Sequence, residues 1–144
     1  ATLVGAWSFE HFGYAPCKLC LKQRWAYYTA VPLAVIVTLA AANGVAMAKQ
    51  GLGLLAVIWF VSMIFGVYHS GVEWKWWPGP DTCTGTGGLT GGLPDLTAPV
   101  VMCDVAAIRI LGLSLAGWNA IISLALAVVA LMGLRTQGSS SVSQ

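Results

Sequence analysis

The chain has 144 residues, of which 58% are hydrophobic and only 8% are charged, with a mean hydropathy of +0.78 and a formal net charge of +2. Soluble domains carry about 25% charged residues, so this composition indicates an all-α integral membrane protein with room for three or four spanning helices of about 20 residues each. The chain has no basic stripe of the kind that binding to nucleic acid requires.

The first predicted element is a helix over residues 1–14. Such a helix covers only about 21 Å, less than the roughly 30 Å of hydrocarbon in a bilayer. We therefore expect the first helix to be truncated at its N-terminus. A signal peptide is not predicted, because the segment has no basic start and carries Glu10 and His11 where an apolar stretch is required.

Two apolar segments follow. Residues 25–43 are uncharged and long enough for a helix despite Pro32, which membrane helices tolerate better than soluble ones do. Residues 51–69 form the third predicted helix, and their Tyr-His end is typical of a membrane interface. The link between these helices, residues 44–50, is so short that it predicts antiparallel neighbours.

A fourth helix is predicted over residues 111–134, and residues 135–144 form a polar tail that we expect to be mobile. The long loop before this helix, residues 70–110, is predicted to carry function. Within it, residues 105–111 predict a short helix in the interface. The loop also begins with tryptophans that are typical of an aromatic belt at the headgroups, namely Trp74, Trp76 and Trp77. The predicted fold is a four-transmembrane-helix bundle in which residues 1–134 form a single domain.

All four cysteines lie outside the apolar segments, and alternation of the spans places them on one side of the membrane. Cys17 and Cys20 follow the first helix, whereas Cys83 and Cys103 lie in the long loop. Most Lys and Arg residues lie on the same side, which by the positive-inside rule nominally makes it cytoplasmic. We nevertheless predict the opposite orientation, because paired cysteines are expected in a compartment where disulfides persist.

A C-x-x-C motif formed by Cys17 and Cys20 follows Pro16 and opens a helix. At that position the unpaired backbone N–H groups and the helix dipole favour a thiolate. The spacing of Cys17, Cys20 and Arg24 is i, i+3 and i+7, so that all three share one helix face. The sequence therefore predicts a reactive sulfur and a guanidinium at one site near the membrane surface.

A C-x-x-C motif is also typical of half a zinc site, which needs a second pair of ligands at close spacing. Cys83 and Cys103 are far apart, and the two histidines, His11 and His69, form no H-x-H pattern, so we predict no metal site. The Gly- and Pro-rich stretch between Cys83 and Cys103 indicates a movable loop. That pair alone is equally typical of a structural disulfide, but the two pairs together favour disulfides that exchange in series by thiolate attack.

Net oxidation requires a terminal electron acceptor, and the chain contains no haem or flavin motif. A lipid-soluble quinone needs only an apolar pocket, a polar anchor and a nearby thiolate. Arg24 is the predicted anchor and His69 a second polar contact, although an interfacial histidine without a ligand explains His69 equally well. We expect Glu10 and Glu73 to lie in the wet interface.

Three stretches of the chain resemble the DsbB family, the bacterial inner-membrane proteins that reoxidise the periplasmic thiol oxidase DsbA with quinone. They are HFGYAPCKLCLKQRW (residues 11–25), YHSGVEWKWWPGPDTC (residues 68–83) and the run from MCD to LGLSLAGWN (residues 102–119). The resemblance covers residues 10–134. It implies a multi-pass protein of the inner membrane with all four cysteines facing the periplasm, a DsbA-like partner, and ubiquinone or menaquinone as the acceptor.

The resemblance also implies an order for the cysteines. A DsbA cysteine attacks the Cys83–Cys103 disulfide and forms a mixed disulfide with Cys83, the released Cys103 attacks Cys17, and Cys20 passes the electrons to quinone beside Arg24. Two alternatives remain open. One is a relative of vitamin K epoxide reductase, in which the redox motif typically comes late rather than early in the chain, and the other is a membrane scaffold whose loop is stapled by a disulfide.

Overall fold

The computed structural model describes residues 2–14, 16–44, 47–80 and 102–140, with side chains through residue 136. The elements in chain order are α1 (Thr2–His11), α2 (Lys18–Ala42), α3 (Met47–Glu73), β1 (Arg109–Ile110), β2 (Leu113–Ser114) and α4 (Leu115–Ser140). The described part of the chain is therefore mostly helical, as the composition predicts.

Three of these helices are long and apolar enough to cross a membrane: α2, α3 and the part of α4 over Leu115–Thr136. Helix α1 has 10 residues, which cover about 15 Å. The described residues thus contain three candidate spans and a short N-terminal helix.

Helices α2 and α3 are longer than the apolar segments that predict them. Helix α2 begins at Lys18 rather than at residue 25, and α3 begins at Met47 and ends at Glu73 rather than running from residue 51 to 69. The predicted helices were bounded where the uncharged segments end, so that charged residues at either end were left out. Helices continue past the hydrocarbon boundary because Lys side chains near helix ends, such as those of Lys18 and Lys49, reach polar surroundings while their stems remain among apolar groups.

Helix α4 begins at Leu115 rather than at residue 111 and continues to Ser140, into the segment predicted as a polar tail. No proline interrupts this stretch, so nothing in the sequence forces the backbone out of the helix. Helix α4 therefore includes residues 135–140 of the predicted tail, the mobility of the tail stays a prediction, and residues 141–144 lie outside the described residues.

The predicted interfacial helix over residues 105–111 is wrong. The segment ends in an antiparallel hairpin in which Arg109 pairs with Ser114 and Ile110 with Leu113. The two residues between the strands, Leu111 and Gly112, have φ angles of 54° and 82°. A two-residue type I′ turn requires positive φ at both positions, and together with the strand pairing of Arg109 and Ile110 it keeps residues 109–112 out of a helix.

The core of the bundle lies between α2, α3 and α4. Half of its buried residues are alanines, which let the helix backbones approach closely. The full set is Tyr27, Ala30, Val37, Leu55, Ala56, Trp59, Ala127 and Ala130. A buried hydrogen bond of 2.9 Å between the Ser62 and Ser123 hydroxyls also joins α3 to α4.

Gly66 marks the closest approach of α3 to α4, because a Cβ atom at this position would lie 2.9 Å from the backbone nitrogen of Ala120. Gly66→Ala is expected to lower the free energy of unfolding by about 1–3 kcal/mol, since the helices must separate. The matched control is Gly53→Ala on the same helix, where the new Cβ would only reach Leu134 at 4.0 Å. Denaturation in detergent compares the two variants, and equal stabilities would contradict the prediction.

Candidate active site

Cys17 is the N-cap of α2, with an extended backbone at φ −71° and ψ 164°. Its Sγ accepts a hydrogen bond of 3.1 Å from the backbone N–H of Cys20. The first N–H groups of a helix have no partner within the helix, and here a sulfur takes the place that Ser or Asp usually occupies. The positive end of the helix dipole therefore acts directly on the Cys17 sulfur.

His69 in α3 is buried, with its Nε2 atom 3.6 Å from Cys17 Sγ. Its other ring nitrogen, Nδ1, lies 3.1 Å from the Nε2 atom of Gln23. An amide NH₂ group can only donate, so Nδ1 accepts and the ring proton resides on His69 Nε2. The imidazole consequently presents an N–H to the sulfur of Cys17.

Gln23 is a site residue that the sequence prediction missed. Its side-chain nitrogen also lies 3.4 Å from the carbonyl oxygen of Phe65 in α3. Gln23 is three residues after Cys20, so the helix-face spacing that identified Arg24 also places it beside the cysteine pair.

These contacts make Cys17 acidic. A hydrogen bond from the Cys20 side chain, together with the hydrogen bond from His69, outweighs burial and lowers the pKa of Cys17 to about 4. Cys17 and Cys20 are both free. At neutral pH Cys17 is therefore a thiolate, which is the nucleophilic form of cysteine.

Alkylation of the reduced protein by iodoacetamide tests this ionisation. Since the thiolate persists above its pKa, the rate constant at Cys17 is expected to stay level from neutral pH to about pH 5 and to fall only near pH 4. His69→Leu should move this fall to higher pH. In denaturant, which provides the reference state, the alkylation rate constant should already decrease as the pH drops below about 8.5. Mass spectrometry of the Cys17 peptide gives the rates, and a folded protein that behaves like the denatured one contradicts the prediction.

Glu73 is buried, contrary to the expectation that it lies in the wet interface. Its Oε1 atom lies 3.8 Å from His69 Nε2, one helical turn away, and the Ser114 hydroxyl of β2 interacts with its carboxyl group. The prediction failed because α3 continues beyond residue 69 and the hairpin packs over its end. Among the described residues, Glu73 Oε2 has no hydrogen-bond partner.

Arg24 lies on α2 and donates a hydrogen bond of 2.7 Å from Nη1 to Oε2 of Glu10. The Arg24 side chain is 13% exposed and that of Glu10 is 44% exposed. This ion pair ties α1 to α2. A guanidinium has five N–H donors, so Arg24 retains donors for a further acceptor.

A cavity of about 380 Å³ opens beside the cysteine pair, between the helices and the segment before β1. This volume lies in the usual range for small-molecule sites. Asn119 of α4 also lines the cavity. Its Oδ1 accepts a 2.6 Å hydrogen bond from the Tyr27 hydroxyl, and its buried Nδ2 has no partner among the described residues. The polar side chains in the wall include Cys17, Cys20, Gln23, Arg24, His69, Glu73 and Asn119.

Cys103 lies in the same buried cluster as Cys17 and Leu19. It is disulfide-bonded, and the partner expected from the sequence, Cys83, lies outside the described residues. An ion pair between Lys75, just after α3, and Asp104 fixes the residue next to Cys103. The structure thus brings Cys103 next to the helix-mounted pair.

The ligand atoms of Cys17, Cys20 and His69 all lie within 4.8 Å of one another. A neutral imidazole nitrogen that carries a proton has no lone pair for a metal, and here that nitrogen is the one facing the sulfur. We therefore assign no metal to this cluster.

Comparison with known proteins gives one match. The family model described as "Disulfide bond formation protein DsbB" matches residues 1–133. No curated protein and no solved structure matches the chain. The matched range contains every residue of the site described above.

Proposed function

This chain belongs to the DsbB family and is thus a membrane protein of disulfide bond formation, and we propose that it is a thiol:quinone oxidoreductase that reoxidises a periplasmic DsbA-like dithiol oxidase. The observation that carries the proposal is the free Cys17–Cys20 pair in the wall of a cavity, with the disulfide-bonded Cys103 in the same cluster. A stapled scaffold needs neither two free thiols nor a cavity beside them. The family match also favours this reading over a vitamin K epoxide reductase.

The proposed exchange begins when a partner thiolate attacks Cys83, which breaks the Cys83–Cys103 bond and releases Cys103 as a thiolate. Cys103 then attacks Cys17 and displaces Cys20 from the Cys17–Cys20 disulfide. The second partner thiolate displaces Cys83 and closes the partner's own disulfide. Cys83 finally attacks Cys103, which restores the loop disulfide and releases Cys17. In this end state Cys17 and Cys20 are reduced and Cys103 is disulfide-bonded, in agreement with their described states.

The cavity residues fit a quinone, whose ring has two carbonyl oxygens that accept hydrogen bonds. Arg24 has spare N–H donors, and Asn119 Nδ2 is a buried donor without a partner among the described residues. A buried donor left unpaired is costly, so a carbonyl acceptor from ubiquinone or menaquinone would stabilise it. When bound, the quinone supplies a two-electron acceptor. His69 is assigned a different role from the one predicted, since its N–H faces the Cys17 sulfur.

We further propose that α1 packs beside α2, α3 and α4 as one of the four helices of the bundle, and that the site faces the periplasm. Leu3 packs against the core cluster, and α1 contributes to the cavity wall. The orientation rests on the cysteines, because a disulfide-bonded Cys103 beside a pair of thiols is expected in a compartment where disulfides persist.

The test mixes the purified, oxidised full chain with a reduced DsbA-like oxidase and a short-chain quinone, and follows quinol formation by absorbance. Many turnovers per protein molecule are expected. A stapled scaffold would give no quinol, and both disulfides would resist mild reductant. Absence of turnover would therefore contradict the proposed function.

A further inference from the structure

Reduction of a quinone to a quinol takes two electrons and two protons. The reduced cysteine pair supplies the two electrons but does not carry two protons. The Cys17 sulfur accepts the N–H of Cys20 and faces the N–H of His69, both of which stabilise the thiolate. Only Cys20 then brings a thiol proton, so a second group at the cavity must hold the other one.

His69 does not fill this role in the described arrangement. Its Nδ1 accepts a hydrogen bond from Gln23, and its Nε2 already carries the ring proton. A second ring proton would place an N–H against the NH₂ group of Gln23. The proton carrier must therefore be another titratable side chain.

Glu73 is the only carboxyl group among the described residues that line the cavity. It is buried, and its Oε2 has no partner among the described residues, so a proton can be placed there without breaking a hydrogen bond. The charged and titratable groups that face it are His69 on its own helix, Cys17 and Cys20 at the start of α2, and Arg109 on β1.

We propose that Glu73 takes up one proton when the Cys17–Cys20 disulfide is reduced and gives it to the electron acceptor bound in the cavity. This inference rests on the proposed function. In reduction, the disulfide gains two electrons and the site gains two protons, which leaves a Cys17 thiolate, a Cys20 thiol and a protonated Glu73. In oxidation, the sulfur–sulfur bond forms again, two electrons pass to the quinone, and the protons of Cys20 and Glu73 move to its two oxygens.

The physical reason is charge balance at a buried site. A thiolate on Cys17 and a carboxylate on Glu73 would place two negative charges near one imidazole in surroundings of low dielectric constant, where like charges repel strongly. A proton taken up by Glu73 removes this repulsion when the thiolate forms. Glu73 thereby holds one proton for each pair of electrons that the Cys17–Cys20 disulfide receives.

The test is the pH dependence of the midpoint potential of the Cys17–Cys20 couple, measured on the full chain in detergent with no quinone added. The protein is equilibrated with a dithiol buffer, and the Cys17–Cys20 peptide is quantified by alkylation and mass spectrometry. The midpoint potential is expressed against a reference of fixed potential, after correction for the pH dependence of the dithiol buffer. For a two-proton reduction, the equilibrium constant for reduction of the Cys17–Cys20 disulfide then falls about 100-fold per pH unit, and for a one-proton reduction about tenfold. We expect the steeper dependence for the wild type and for Glu73→Asp, and the shallower one for Glu73→Gln.

Glu10→Gln is the matched control, because Glu10 is a half-exposed carboxyl that does not belong to the cavity wall, and it should keep the two-proton dependence. A two-proton dependence in Glu73→Gln, or a one-proton dependence in the wild type, would overturn the proposal. Infrared difference spectra of the wild type provide a second measurement that needs no variant: a protonated carboxyl band should rise on reduction, and its absence would also overturn the proposal. Neither measurement involves quinone turnover, so either result leaves the proposed function to its own test.

Discussion

The Cys20→Ser variant is expected to form no quinol, yet still to oxidise one equivalent of a reduced dithiol partner. A serine hydroxyl cannot form a disulfide, so Cys17 has no neighbouring sulfur to bond to when electrons must leave the site. The disulfide that contains Cys103 remains in this variant, and it accounts for the single equivalent. Quinone absorbance measures the turnover, and a thiol titration of the partner counts the equivalents.

The matched control is Lys22→Ser, which makes the same new side chain two residues further along α2 at an exposed position outside the cavity wall. This variant should keep the turnover of the wild type. The single equivalent that Cys20→Ser oxidises shows in the same assay that the variant is folded. Sustained quinol formation by Cys20→Ser would rule out the assigned path of electrons.

The helices were predictable from long apolar segments, but their ends were not. Helix α3 shows why, because the Lys75 N–H bonds to the Val72 carbonyl and the Trp76 N–H to the Gly71 carbonyl, as in a Schellman motif. This motif needs a residue with positive φ, usually glycine, and here Lys75 adopts a φ of 62°. A lysine gives no signal in the sequence that a helix ends, so the last turn of α3 and the burial of Glu73 were missed.

The residues of the site were predictable from the sequence where they share one motif or one helix face. Cys17, Cys20 and Arg24 follow from one motif and one helical face, and all three line the cavity. Gln23 and Asn119 act through neighbours on other helices: Gln23 meets His69, and Asn119 meets Tyr27. Polar residues inside a membrane segment have many potential partners, and only tertiary packing selects among them.

The approach of the two cysteine pairs was predicted from a family resemblance and depends on tertiary packing. The resemblance to the DsbB family implied that Cys103 meets Cys17, and the structure places both in one buried cluster. The ion pair between Lys75 and Asp104 fixes this segment, but neither residue was predicted to have a role. Residues 81–101 lie outside the described residues, so the movable loop and the pairing of Cys83 remain predictions.

The Arg24→Ala variant is expected to raise the apparent KM for quinone by roughly 10- to 100-fold, since a hydrogen bond to a charged group contributes about 1.5–3 kcal/mol. The first oxidation of the dithiol partner should keep its rate, because the proposed function assigns that step to the partner and the loop disulfide. Quinone titrations in steady state give the KM, and rapid mixing without quinone gives the rate of the first step.

Two further variants separate an anchor from a structural ion pair. Glu10→Gln removes the partner of Arg24 but keeps the guanidinium in the cavity wall, so an anchor role predicts a far smaller rise in KM than Arg24→Ala gives. Arg24→Lys keeps the charge without the planar fork of donors and should give an intermediate KM. If Glu10→Gln and Arg24→Ala raise KM equally, or if Arg24→Ala slows both steps alike, then Arg24 holds α1 to α2 and does not anchor the quinone.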